Sequence, residues 1–163
     1  MRRWWLLLFP LLLSASTQIE IESLHFTSDE SQGVTRFTGN VVIRRGEDVM
    51  RADTINVHAD NEKNIDRFEA EGNTSFTIHL DANKTFQGSA DRFIYLPKKK
   101  EYLLLGNAVV QDMNNTRKII GEEIIINEES KTAHVSGREK KPVKLIFTIE
   151  EEPRNGGETN RTQ

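Results

Sequence analysis

The chain has 163 residues, 36% of them hydrophobic and 29% charged, with a formal net charge of −3. That is the length of one domain, without the basic excess of a nucleic-acid-binding protein, so no nucleic-acid partner is expected. Cysteine is absent, so order has to come from sheet hydrogen bonds and apolar burial rather than from disulfides.

The first element reads as an address. In MRRWWLLLFPLLLSAS, Arg2 and Arg3 precede ten apolar residues from Trp4 to Leu13, and the small residues Ser14, Ala15 and Ser16 follow. The pattern predicts a signal peptide over residues 1–16, cleaved near Ala15 or Ser16 on export. The rival is a retained anchor, but a helix of that length reaches about 15 Å against a hydrocarbon core of about 30 Å.

Residues 17–149 are expected to form an all-β domain, because period-two alternation recurs and helical periodicity is almost absent. Ile19-Glu20-Ile21-Glu22 opens it as a short strand, and RFTGNVVI (36–43) and RADTINV (51–57) follow. The longest alternation is Phe68, Ala70, Gly72, Thr74, Phe76, Ile78 and Leu80; then come GSADRFIY (88–95), EYLLLGNAVVQD (101–112), GEEIII (121–126) and VKLIFTI (143–149). Turn sequences separate them at 46–48, 81–84, 96–101 and 113–116. From Glu150 the chain is polar and rich in Gly and Asn, which predicts a disordered tail over 150–163.

One dipeptide interrupts the strands at a fixed interval. Gly39-Asn40, Gly72-Asn73 and Gly106-Asn107 lie 33 and 34 residues apart, and Gly137 follows after 31, a period that marks stacked supersecondary units. The glycine falls on the inward row, where it either leaves a vacancy along a trough or bends a long strand around a curved sheet; the spacing favours the bend. A second repeat places an acid, Asp53, Asp91 or Glu122, two residues before the pairs Ile55/Val57, Phe93/Tyr95 and Ile124/Ile126. An active site is built once, whereas these acids recur in every unit, so they read as part of the fold. The competing use, as the acids of a carbohydrate-active β-solenoid, finds no other catalytic pattern around them. His25, His58, His79 and His134 have no second ligand at metal-site spacing, so no metal, cofactor or catalytic residue is expected. Lys98-Lys99-Lys100 after Pro97 reads as a solvated turn, with a phosphate-contacting patch as the sharper alternative.

Taken in order, FTGNVVI (37–43), RADTINV, GSADRFIY and LLLGNAVV followed by GEEIII resemble the OstA-like family of lipopolysaccharide transport, over about Ile19 to Ile149. The resemblance is strongest to the soluble periplasmic bridge member. It implies an open β-jellyroll, a folded antiparallel sheet whose V-shaped apolar interior holds the acyl chains of lipid A. It also implies four partners: lipopolysaccharide, an inner-membrane-anchored bridge component (LptC-like), an outer-membrane translocon (LptD-like), and further copies of the chain itself, head to tail. Transport in the family is driven by a cytoplasmic-side ATPase, and the bridge needs no cofactor and no catalytic residue.

Carried onto this sequence, the lipid lining comprises Ile19, Ile21, Phe37, Ile43, Ile55, Val57, Phe68, Phe76, Ile78, Phe93, Tyr95, Leu104, Val110, Ile124, Ile126 and Phe147. The third unit departs from the pattern, with Glu122-Glu123 in place of Ala-Asp. Within the same frame, an anchored LptC-like member would keep residues 1–16, and a ligand-free structural filament would use only its sheet edges.

Overall fold

Aspartate and asparagine side chains close the turns and thereby set the strand count. Asp29 accepts the amides of Ser31 and Gln32, Asp60 those of Glu62 and Asn64, Asp81 that of Asn83, and Asp112 those of Asn114 and Asn115. Asn127 does the same for Glu129 and Ser130. Each is a side-chain mimic of a backbone turn, available to short polar side chains.

The structure, a computed structural model, describes residues 18–150. The expected signal, and the expected tail beyond Glu150, lie outside the described residues. Between them run ten strands: β1 (Ile19–Glu22), β2 (His25–Asp29), β3 (Val34–Arg45), β4 (Asp48–Ala59), β5 (Ile65–Asp81), β6 (Lys84–Leu96), β7 (Glu101–Asp112), β8 (Arg117–Asn127), β9 (Thr132–Ser136) and β10 (Lys144–Ile146). All pair antiparallel in one sheet, with β3 to β8 as a continuous meander. The expected all-β architecture is the one observed.

Both edges are split. On the first, β1 pairs with Val42–Arg45 of β3 and β2 with Val34–Thr38 of the same strand. On the last, β9 pairs with Glu123–Asn127 and β10 with Lys118–Ile120 of β8. Each split faces a break in the ladder of the long strand, and that break runs through every strand from β3 to β8.

The break is a corner, and the Gly-Asn pairs make it. Gly39, Gly72 and Gly106 have φ of 86, 77 and 77°, and the asparagines after them 48, 47 and 46°. Glycine adopts this conformation freely and asparagine at little cost, whereas most residues lose about 1–2 kcal/mol there. The glycine position is not vacant. A Cβ on Gly72 would meet Asp53 Oδ2 at 2.6 Å, and one on Gly106 would meet Asp91 Oδ2 at 2.5 Å. Asn73 and Asn107 each donate from Nδ2 to the same aspartates, both at 2.8 Å. Asp53 and Asp91 are therefore corner fittings, lying over the glycines on the exposed side of the bend, and the bend reading of the repeat is the correct one. At Gly39 the side chain of Leu24 takes the place of the aspartate.

Bending every strand at one level turns the sheet back on itself. Non-neighbouring strands then meet across the fold, as Arg45 on β3 does with Tyr95 on β6 and Tyr102 on β7. The interior is a stack of rows, one of which runs Phe37, Ile55, Ala70, Phe93, Leu104, Ile124 and Val135 across seven strands. Ile55, Phe93, Leu104, Ile124 and Val41 are the largest fully buried side chains and form the spine of the core. Burial of each stabilises the fold by roughly 1.5–3 kcal/mol.

Candidate functional site: the apolar trough

The bend leaves two half-sheets facing one another along an apolar trough. One half carries β2, β9 and the parts of β3 to β8 that pair with them; the other carries β1, β10 and the remainder. The strand register places fifteen of the sixteen lining residues inferred from the sequence on the inner face. Phe37, Ile55, Val57, Phe68, Phe93, Tyr95, Leu104, Ile124 and Ile126 lie on the first half. Ile19, Ile21, Ile43, Phe76, Ile78 and Val110 lie on the second. Phe147 follows β10 and is 54% exposed, at the open edge of the sheet.

These residues divide by depth. Ile55, Phe68, Phe76, Ile78, Phe93, Leu104, Val110 and Ile124 are buried, whereas Ile21, Phe37, Ile43, Val57, Tyr95 and Ile126 are partly exposed and pack against them. The deep set holds the half-sheets together, and the shallow set forms the walls near the mouth. Phe76 and Phe93, one from each half, meet with ring centroids 5.3 Å apart, and Tyr102 lies 5.6 Å beyond Phe93.

Two cavities open within the trough. Towards β8 and β9 lies one of about 430 Å³, walled by Leu80, Phe86, Val110, Ile119, Ile124 and Ile126 and rimmed by Lys84, Lys100, Lys131, Asp81, Glu128 and Glu129. Towards β1 lies a second of about 60 Å³, walled by Ile19, Ile43, Met50, Phe68, Phe76, Ile78, Phe93, Tyr95 and Tyr102, with Arg45 and Asp48 at its rim. Several of these residues, Met50, Phe86, Ile119 and Arg45 among them, are additional to the lining inferred from sequence.

Among the described residues, Arg45 is the cation that lines the smaller cavity. Its guanidinium donates to Asp48 Oδ2 at 2.8 Å, Tyr102 Oη at 2.9 Å, Tyr95 Oη at 3.1 Å and Glu128 Oε1 at 3.3 Å. It also lies over the Tyr95 ring, 5.4 Å from the centroid. Burial works against its charge, but hydrogen bonds to Asp48 and the phenols outweigh burial, so its proton is held more tightly than usual. Tyr102 is pushed upward by burial and by donating to Glu128 at 2.6 Å, against the opposing pull of Arg45. Tyr95 and Tyr102 stack with centroids 4.6 Å apart, fixing the platform on which the guanidinium rests.

The lysine run after Pro97 is used as two separate groups. Lys98 binds Asp60 at 2.6 Å, and the Asp60 carboxyl is held down at about 2, first by that bond and then by the amides of its own turn. Lys100 stands on the rim of the larger cavity.

Asp53 and Asp91 are engaged in the corners, and Glu122 pairs with Arg138 at 3.0 Å. What the trough offers is apolar surface with charge confined to its rim, the form of a site for an amphiphile.

Comparison with known proteins agrees with this architecture. The family model described as LptA/(LptD N-terminal domain) LPS transport protein matches residues 20–132, more than half of the chain. No curated protein sequence matches. Among solved structures, the fold is similar to that of LptH from Pseudomonas aeruginosa, described as the LptA-homologous periplasmic component of the conserved lipopolysaccharide transport device. The TM-score is 0.72 at 15% identity, over 81% of this chain and 96% of that one. At this identity the likeness speaks for the shared open β-jellyroll, and the family follows from the sequence model. The bent sheet, its trough and the matched residues together place the chain in the LptA/LptD N-terminal domain family of lipopolysaccharide transport proteins.

Proposed function

We propose that the chain is a periplasmic lipopolysaccharide carrier, which shields the acyl chains of lipid A in its trough between the inner and outer membranes. An LptC-like component would load it and an LptD-like translocon would unload it, with further copies bridging the distance head to tail. The observation that carries the reading is the larger cavity, apolar in its depth and charged only at its rim. Acyl chains are held at about 0.8 kcal/mol per buried methylene, so such a wall retains a multi-chain lipid without any directional code. Lys84, Lys100 and Lys131, which share the rim with Asp81, Glu128 and Glu129, would be the cations available to a phosphorylated headgroup.

Ile125 and Ile126 are neighbours on β8 that point to opposite faces, Ile126 into the cavity. With a photo-crosslinking residue at each position in turn, purified lipopolysaccharide is expected to label from 126 and not from 125. Equal labelling from both, or from neither, would count against the carrier.

A further inference from the structure

The sequence holds four Asn-x-Ser/Thr triplets, at Asn73, Asn83, Asn114 and Asn160, and in none is the middle residue proline. In an exported chain this triplet is the acceptor of an N-linked glycan. All four also carry an acid two residues before the asparagine: Glu71, Asp81, Asp112 and Glu158. Acids are 25 of the 163 residues, so by composition alone the coincidence has odds of roughly one in two thousand, and it calls for a cause. The full pattern, Asp/Glu-x-Asn-x-Ser/Thr, is an extended acceptor in which the carboxylate gives an oligosaccharyltransferase a charge to read beside the asparagine.

Asn160 lies outside the described residues, and the other three acceptors differ in availability. Asn73 is committed to a corner inside β5: its Nδ2 donates to Asp53 at 2.8 Å, and Thr74 after it is buried. Asn83 and Asn114 stand exposed in the β5–β6 and β7–β8 turns. Among the described residues neither donates from Nδ2; Asn114 uses only its Oδ1, which accepts the Thr85 amide at 2.8 Å. The same contact, with the Met113 amide on the Thr85 carbonyl at 2.9 Å, puts both turns at one end of the sheet.

Turn formation explains part of the pattern. Asp81 and Asp112 accept the amides of Asn83 and Asn114 at 2.9 and 3.0 Å, which is reason enough for an acid there. It does not explain the rest, because Asp29 and Asp60 close their turns in the same way with Ser31 and Glu62 in the asparagine position. Thr116 is harder still to explain by folding. Its φ is 50°, and among the described residues it is the β-branched side chain found in the left-handed region, where a branched Cβ is least at home. A turn has no use for a hydroxyl at that place, whereas glycan transfer requires one two residues after the asparagine.

We propose that Asn83 and Asn114 are N-glycosylation sites, taking an oligosaccharide from a polyprenyl-pyrophosphate carrier on the periplasmic side. Nδ2 attacks the anomeric carbon, the new C–N bond forming as the C–O bond to pyrophosphate breaks. The nitrogen gives up one proton to a base of the transferase, and the polyprenyl pyrophosphate leaves. The proposal rests on the export contained in the carrier reading and not on lipid binding.

The test expresses the full chain for export in cells that carry an oligosaccharyltransferase and a lipid-linked oligosaccharide, followed by glycopeptide mass spectrometry of the periplasmic protein. Occupancy is expected at Asn83 and Asn114 and not at Asn73. Asp81→Asn and Asp112→Asn keep an Oδ1 to close the turn but remove the charge, and each is expected to lower occupancy at its own site roughly tenfold. Thr116→Gly relieves the backbone, so the sheet signal in circular dichroism is expected to survive while occupancy at Asn114 vanishes. A processed chain, lacking residues 1–16, that is bare at both asparagines overturns the proposal and leaves the carrier reading standing. Occupancy at Asn73 equal to theirs, or occupancy unmoved by loss of the acids, overturns it too. A chain that never leaves the cytoplasm overturns the export on which both readings rest.

Discussion

Two glycines with the same backbone sign have different reasons to be glycine. Gly46, in the β3–β4 turn, has φ of 62° and nothing within 4 Å of its missing Cβ, whereas Gly72, at 77°, has Asp53 Oδ2 at 2.6 Å. Gly46→Ala is expected to cost about 1 kcal/mol, from backbone strain alone. Gly72→Ala adds displacement of the aspartate and is expected to cost on the order of 2–3 kcal/mol. Urea titration of the two variants separates the terms, and equal costs would mean that Asp53 moves aside freely.

Tyr102 offers a second test on a single side chain. Its pKa is raised above the ordinary value of 10.0, so the folded state holds the phenolic proton more tightly than the unfolded chain does. Its contribution is therefore complete below about pH 10 and declines as the pH rises beyond it, because only the unfolded form then ionises freely. The chain has two tyrosines, so a Tyr95→Phe variant leaves Tyr102 as the sole phenol. Phenolate absorbance is expected to appear only together with loss of the sheet signal; titration near 10 in the folded protein would show that the contact with Glu128 is not maintained.

Individual strands explain why part of the trough was legible in the sequence and part was not. On β3, β5 and β7 the inward parity is the same on both sides of the corner, as with Phe68 and Ala70 before it and Phe76 and Ile78 after. Simple alternation therefore found the lining of both halves there. On β4, β6 and β8 the parity slips by one, because two successive residues, Asp53-Thr54, Asp91-Arg92 or Glu122-Glu123, stand outward opposite three on the neighbouring strand. Following one parity on those strands yields Ile55, Phe93 and Ile124 on the first half but passes over Met50, Phe86 and Ile119 on the second. The acids that recur in the sequence mark the slip. Arg45 was hidden for another reason: its partners Tyr95, Tyr102 and Glu128 lie 50, 57 and 83 residues away, and no local pattern announces contacts made only when the sheet folds over.

The assembled sheet exposes apolar side chains at both ends. Leu145 and Phe147 are 57% and 54% exposed beside β10, and Leu24 and Phe26 are 69% and 68% exposed beside β1 and β2. Unpaired edges with apolar side chains invite a further strand, which supports head-to-tail association as part of the proposed function. Replacing Leu145 and Phe147 together by Lys is expected to lower association in sedimentation-velocity experiments while leaving the monomer folded, since neither side chain is buried. A parent protein that stays monomeric at every concentration would show that these edges are not used among copies.

The three-against-two corner also sets which changes in chain length the sheet tolerates. Side-chain facing along a strand behaves as a reading frame of two, and the corner is where that frame is reset on alternate strands. Removing Asn73 alone would shift β5 out of frame, turning Phe76 and Ile78 towards solvent and Ser75 and Thr77 inward. Removing Gly72 and Asn73 together would restore the frame but abolish the bend. Single-residue changes are silent in most surface turns; here, one residue decides whether half a strand is inside out.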